Sequence, residues 1–226
     1  MNFYNVFMDI YPMLFEGLAV TLKVSLLSLF IALFLGFFSC IMGISSIKPL
    51  QWISKLYIWI IRGTPFIVQL FIIKYGIPQL IKGMGFTDFN FTIFQASVAT
   101  LALNAGAYMS EIFRGGIQAI DPGQMEAARS LGLPKSRALL KVILPQAFKI
   151  SIPALGNQFI ITLKDSSLAQ VIGLQELVYQ GKIYVGRTFK SFETYLLVGF
   201  VYLIIITVLS YIIKQTERKM SYGKKS

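Results

Sequence analysis

No histidine occurs anywhere in this chain of 226 residues. That removes the commonest metal ligand and the usual general base near neutral pH. The single cysteine, Cys40, lies inside an apolar run, so there is no disulfide framework. Charge is scarce, at 14% of residues, and acidic groups are scarcest, with 10 against 21 basic ones. There is no Gly-x-x-x-x-Gly-Lys-Ser/Thr phosphate loop. The nearest fragment, Gly223-Lys224-Lys225-Ser226, lacks the upstream glycine and a following helix, so neither nucleotide binding nor catalysis is expected of this chain. Met1 to Leu22 carries Asp9 and Glu16 but no Lys or Arg, unlike a secretory leader. The N-terminus is expected to be retained, outside the membrane. No internal repeat or low-complexity stretch divides the sequence, which reads as one domain over 1–226.

What is present is apolar. With 55% hydrophobic residues, the chain has more apolar surface than a soluble domain of this size can hide. It belongs in a bilayer. Crossing about 30 Å of hydrocarbon takes about 20 apolar residues. Val24–Ile47, Phe89–Ser110 and Tyr195–Ile213 satisfy this without a charge, whereas Ile53–Ile73 is interrupted by Lys55 and Arg62 and Leu139–Leu163 by Lys141 and Lys149. The expected fold is therefore all-α, with about five transmembrane helices near 20–46, 53–74, 89–112, 139–164 and 194–214. Tyr75–Phe86 and Gln175–Phe192 are expected as external connections, the former with a short interfacial helix over Ile77–Lys82.

Net charge of +11 suggests nucleic acid at first sight, but no basic motif interleaved with aromatics accompanies it. The positions of the cations decide the matter. Lys48, Lys55, Arg114, Arg129, Lys135, Arg137, Lys141, Lys149, Lys214 and the basic tail fall on one side of a five-span topology. The positive-inside rule then puts the N-terminus outside, and the C-terminus and the loop at about 114–138 in the cytoplasm.

That loop carries the most specific pattern in the chain. Asp121 precedes Pro122, whose fixed φ suits a first helical position, and Gln124 follows three residues after Asp121 as in a capping box. The spacing predicts a helix to about Leu131, ended by Gly132 in the left-handed region and by Pro134. Ala127, Ala128 and Leu131 share a small apolar face suited to another protein surface. A second helix is predicted from about Lys135 toward Leu144-Pro145. Glu126-Ala127-Ala128, Gly132 and Val142-x-Leu144-Pro145 resemble the cytoplasmic-loop motif of ABC-importer permeases, with Val142 replacing the motif's Ile. Arg62-Gly63-Thr64-Pro65 followed by Val68-Gln69-Leu70-Phe71, Ala107 to Ile117, and Gly156-Asn157-Gln158-Phe159 with Lys164 to Leu168 are similar to the polar-amino-acid branch. The resemblance covers about Gly17 to Ile213.

The resemblance implies a type I importer permease core in a bacterial plasma membrane, acting as a homodimer or with a second permease. Its partners would be ATPase subunits that bind ATP and magnesium, and an extracytoplasmic solute-binding protein; no metal or cofactor is expected on this chain. It implies that Glu126, Ala127, Ala128, Gly132, Leu144 and Pro145 couple the membrane part to the ATPase. For the substrate path, polar groups in apolar spans are the candidates, because they are costly in hydrocarbon and usually face a bundle interior or a watery cavity. These are Asn104, Asn157, Gln158, Lys164, Asp165 and Ser166. Interhelical hydrogen bonding and a Lys164–Asp165 ion pair are the structural alternatives. Arg62, Gly63 and Pro65 read as a kink and gate, where freed carbonyls or a neighbouring acidic group would hold Arg62. The small residues Gly36, Gly43, Ala102, Ala105 and Gly106 permit close helix approach within the chain or across a dimer. An ion-gradient transporter is the competing function, though the repeats it would predict are missing. Within the importer class, an opine or organosulfur compound is a competing solute.

Overall fold

A computed structural model describes residues 3–85 and 89–221, with the side chains of 219–221 excluded; the fragment Gly223 to Ser226 and the last lysines of the basic tail lie outside it. Ten α-helices make up the described fold. They are α1 (Phe3–Ile44), α2 (Lys48–Gly63), α3 (Phe66–Phe71), α4 (Ile77–Gly83), α5 (Ile93–Gln118), α6 (Pro122–Ser130), α7 (Lys135–Ala138), α8 (Leu144–Asp165), α9 (Leu177–Thr188) and α10 (Ser191–Ser221). Two π turns, Ile72–Gly76 and Leu139–Ile143, join α3 to α4 and α7 to α8, and a 3₁₀ stretch, Ser166–Ile172, follows α8.

The bundle is organised on α1 and α5, which run side by side in the same direction. Small residues permit this. A Cβ at Gly36 would lie 2.7 Å from Met109 Cβ and 2.9 Å from the Gly106 carbonyl, and one at Gly106 would lie 3.0 Å from Leu35 Cβ. The close approach foreseen for these glycines is thus made within the chain. Along α1 three apolar clusters are stacked. Val6, Ile10 and Leu14 pack with Leu177, Tyr184 and Val198; Val24 packs with Leu70, Val98, Leu101 and Ile172; Ala32 and Cys40 pack with Ala105, Met109 and Phe113. α8 lies against the lower half of α5, where Ser151 Oγ donates to Ala147 O at 2.9 Å and to Ile112 O at 3.3 Å. α10 covers α8 through Ile213 on Gly156 and α9 through Val198 on Gly181.

Several expected boundaries change. α1 starts at Phe3, well before position 20, because Val6, Ile10 and Leu14 find partners on α9 and α10. At 42 residues it is about 63 Å long, twice the hydrocarbon thickness. Gln175–Phe192 is not a polar loop. It folds as α9, with Leu177, Gln180, Gly181 and Tyr184 buried. Its cap, Glu176, accepts from Val178 N at 2.9 Å, Tyr179 N at 2.7 Å and Tyr202 Oη at 3.1 Å. The external connection after Tyr75 is helical through Gly83, continuing α3.

The larger correction concerns the second span. Lys48–Gly63 and Phe66–Gly83 are bent by 110° at Thr64-Pro65, so 53–74 is a broken element and not one straight helix. Among the described residues three helices are long and apolar enough to cross a membrane, Phe3–Ile44, Lys135–Ile172 and Ser191–Arg218, and the bent pair makes a fourth if counted as one span. α5 has the length, about 39 Å, but not the hydropathy. Its polar and small positions, Ser97, Thr100, Ala105, Gly106 and Ser110, are buried against neighbouring helices, so protein replaces lipid around it.

Candidate functional site

The polar loop folds largely from its own punctuation. Asp121 caps α6, but its Oδ1 accepts from Gly123 N at 2.7 Å, not from the residue three positions on. The side chain of Gln124 is therefore not part of a capping box. It accepts instead from Gln146 Nε2 at 3.4 Å, while the same nitrogen donates to Val142 O at 2.8 Å. Gln146, which the sequence did not single out, ties α6 to the root of α8. At the other end of α6 the bonds Gly132 N to Arg129 O and Leu133 N to Ala128 O form a Schellman turn, with Gly132 at φ +85°.

The small apolar face of α6 is split. Ala128 is buried within the chain, whereas Glu126, Ala127 and Gly132 are exposed and Leu131 is 85% exposed. A short helix therefore presents an acidic residue, a small residue and an uncovered leucine outward. Its stem has a π turn where Leu144 N bonds to Leu139 O, immediately before Pro145. Proline lacks an N–H and its ring crowds the carbonyl four residues back, and widening the turn relieves both demands. Ile72–Gly76 precedes Ile77-Pro78 in the same way.

The second group of candidates sits at the break. Arg62 Nη1 lies 3.4 Å from Glu111 Oε2, and its Cζ lies 5.2 Å from the centroid of the Tyr108 ring. Glu111 also receives Arg114 through two hydrogen bonds, so one carboxylate faces two guanidinium groups. All three are partly exposed, which keeps each exposed pair worth little by itself. The acidic neighbour, not the freed carbonyls, holds Arg62. Those carbonyls are taken by Gln69, which is 6% exposed and also accepts from Asn104 Nδ2 at 3.1 Å. An amide four residues after Pro65 in an otherwise apolar run is the available signal for it.

The third group, on α8, does not converge. Asn157 is exposed while its neighbour Gln158 is 5% exposed, with Nε2 3.5 Å from Thr162 Oγ1. Ser166 is fully buried and donates to Leu163 O at 2.7 Å. Lys164 is exposed and Asp165 half-buried; the ion pairs among the described residues are those of Glu111, so Lys164 and Asp165 are not joined. Asn157, Lys164 and Asp165 therefore remain open to a partner or solute, Ser166 is satisfied internally, and Gln158 is buried with a single long contact to Thr162. No metal-holding group of His, Cys, Asp or Glu occurs among the described residues.

These features define a multi-pass membrane protein with an exposed short helix between two spans and a broken, arginine-bearing element. The chain belongs to the family of binding-protein-dependent transport system inner membrane components, whose family model matches residues 35–222. It is 39% identical over 209 residues to the arginine transport system permease protein ArtQ of Bacillus subtilis, covering 92% of this chain and 93% of that one. It is 38% identical over 209 residues to the glutamine transport system permease protein GlnP of Escherichia coli K12, with coverages of 92% and 93%. Among solved structures, an amino acid ABC transporter described with histidines matches at a TM-score of 0.89 and 40% identity, over 97% of this chain and 99% of that one. The MetNI methionine ABC transporter, inward facing, matches at 0.78 with 20% identity, over 94% and 98%, a likeness of fold.

Proposed function

We propose that this chain is the permease subunit of an ATP-driven importer of polar amino acids, with five membrane crossings, its N-terminus outside and its C-terminus cytoplasmic. The observation that carries this reading is the loop from Asp121 to Pro145. It is an exposed, capped helix with a left-handed glycine at its end, rooted through a π turn on the same helix that carries Asn157, Lys164 and Asp165. A push on Glu126, Ala127 and Leu131 is delivered to α8 and so to the candidate path. The ATPase supplies that push. A second permease copy and an extracytoplasmic solute-binding protein complete the assembly.

For the solute, Lys164 and Asp165 offer opposite charges that are not spent on each other. An amino acid carries a carboxylate and an ammonium, one for each. Arg62, held by Glu111 and Tyr108 beside the break at Gly63-Pro65, is the inner gate. The relatives named for arginine and glutamine support this solute class.

The test is uptake of radiolabelled arginine, glutamine and histidine into proteoliposomes holding this chain, its ATPase and its binding protein. Uptake is expected to require internal ATP and to survive an ionophore that abolishes ion gradients. Collapse under the ionophore with ATP present would identify a gradient-driven transporter instead. Asp165→Asn is expected to reduce uptake about tenfold, the scale of one charge-assisted contact; unchanged uptake removes Asp165 from the path.

A further inference from the structure

The 110° break between α2 and α3 frees backbone carbonyls in an apolar setting, where each needs a partner. Pro65 has no N–H, so the carbonyl of Ile61, four residues earlier, has no helical donor. Gln69 Nε2 donates to that oxygen at 2.7 Å. The same nitrogen lies 3.0 Å from Thr64 O and 2.9 Å from Thr64 Oγ1, which share its second proton. Thr64 Oγ1 in turn donates to Ile60 O at 2.8 Å. The opposite end of the amide accepts from Asn104 Nδ2 on α5 at 3.1 Å. One buried side chain therefore holds the last turn of α2, the start of α3 and the middle of α5. Arg62 follows directly on the carbonyl that this amide caps, and its own partners, Tyr108 and Glu111, stand one and two turns beyond Asn104 on the same helix.

We propose that Gln69 is the positioning residue of the inner gate: it fixes the angle of α2 to α3 and, through Asn104, to α5, keeping Arg62 over Tyr108 and Glu111. The proposal rests on the reading of Arg62 as a gate in an importer. A movement of α5 relative to α3 breaks the Asn104 bond first and frees α2 to swing about Gly63, where a Cβ would meet nothing within 4 Å. Asn104 is then half of a latch and not a solute ligand. A simple structural cap would require the bonds to Ile61 and Thr64 but not the one to Asn104, and this difference can be measured.

Nitroxide labels on the exposed Trp59 of α2 and Leu80 of α4 flank the break, in a Cys40→Ala background and with the full complex in nanodiscs. The parent is expected to give one narrow distance and Gln69→Leu a broadened or double one. ATP-driven uptake of whichever of arginine, glutamine or histidine the parent carries is expected to fall about tenfold in Gln69→Leu, while ATP hydrolysis changes by about twofold at most. Adding Asn104→Leu to Gln69→Leu should cost nothing more, because the two residues act as one unit. A parent-like distance with undiminished uptake overturns the proposal, and so do fully additive losses. Should Gln69→Leu fail to insert, Asn104→Ala removes only the link to α5; a widened distance supports the latch and a parent-like one overturns it. A parent complex that moves no solute with ATP would sink the importer reading, and the label distances would still decide the latch.

Discussion

A buried carboxylate shows how much one side chain settles here. Glu176 is fully buried at the cap of α9 and accepts from two backbone N–H groups and the Tyr202 hydroxyl. Burial pushes its pKa above the ordinary 4.5, and those three hydrogen bonds pull it back only in part. Because the folded-state value is raised, the group's contribution to stability is complete below 4.5 and is lost as pH rises through the folded-state value. The melting temperature of the parent, relative to Glu176→Gln, is therefore expected to climb as pH falls from neutral toward that value. Parallel melting curves for the two proteins would remove Glu176 from the titration. Glu176→Ala leaves three donors without an acceptor and should destabilise by about 1–3 kcal/mol per stranded group. From sequence, Glu176 falls in the more polar external connection Gln175–Phe192, and glutamate is a weak signal for a cap. What makes it one is distant: Thr21, whose Oγ1 accepts from Leu177 N at 3.2 Å, and Tyr202.

At the scale of elements, α6 and its turn were the most legible, because caps and prolines act locally. Asp121, Pro122, Gly132 and Pro134 bound the helix within a residue of expectation. The face of α6 was less legible. Which of Ala127, Ala128 and Leu131 turns inward depends on α7 and the π turn beneath it, and helical spacing alone holds no record of that. Gly132 takes a left-handed φ that a β-branched residue resists, so Gly132→Val should cost about 1–2 kcal/mol and unwind the turn. ATP-driven uptake is expected to fall in Gly132→Val with the ATPase still bound, whereas Gly132→Asn, tolerant of this φ, should retain most of it. Equal losses in both variants would show that the glycine serves some need other than backbone handedness. The break at Thr64-Pro65 was legible as a kink, but its size was not. Proline and glycine announce that a helix is interrupted, and the angle is set by Gln69 and Asn104.

For the molecule as a whole, composition and cation placement gave a membrane bundle and its expected sidedness, while the path residues stayed scattered on α8. Long charge-free runs and the positive-inside bias are global properties of the chain and survive without coordinates. Convergence of side chains on one cavity is not such a property. Sidedness itself is open to a direct test. Phe189, 88% exposed in the turn between α9 and α10, and Leu131, at the tip of α6, lie at opposite ends of the bundle. In right-side-out vesicles a membrane-impermeant maleimide is expected to label Phe189→Cys and spare Leu131→Cys, and the reverse in inverted vesicles. Labelling of both from one side would overturn the five-crossing topology. The π turn at Leu139–Ile143 acts on this same scale as a phase shifter. One residue beyond the α-helical repeat rotates everything before it by about 100° about the axis of α8. Deleting a single residue there would remove the extra turn width and aim the α6 loop at a different azimuth, so the compass bearing of α6 is written in the count of residues along its stem.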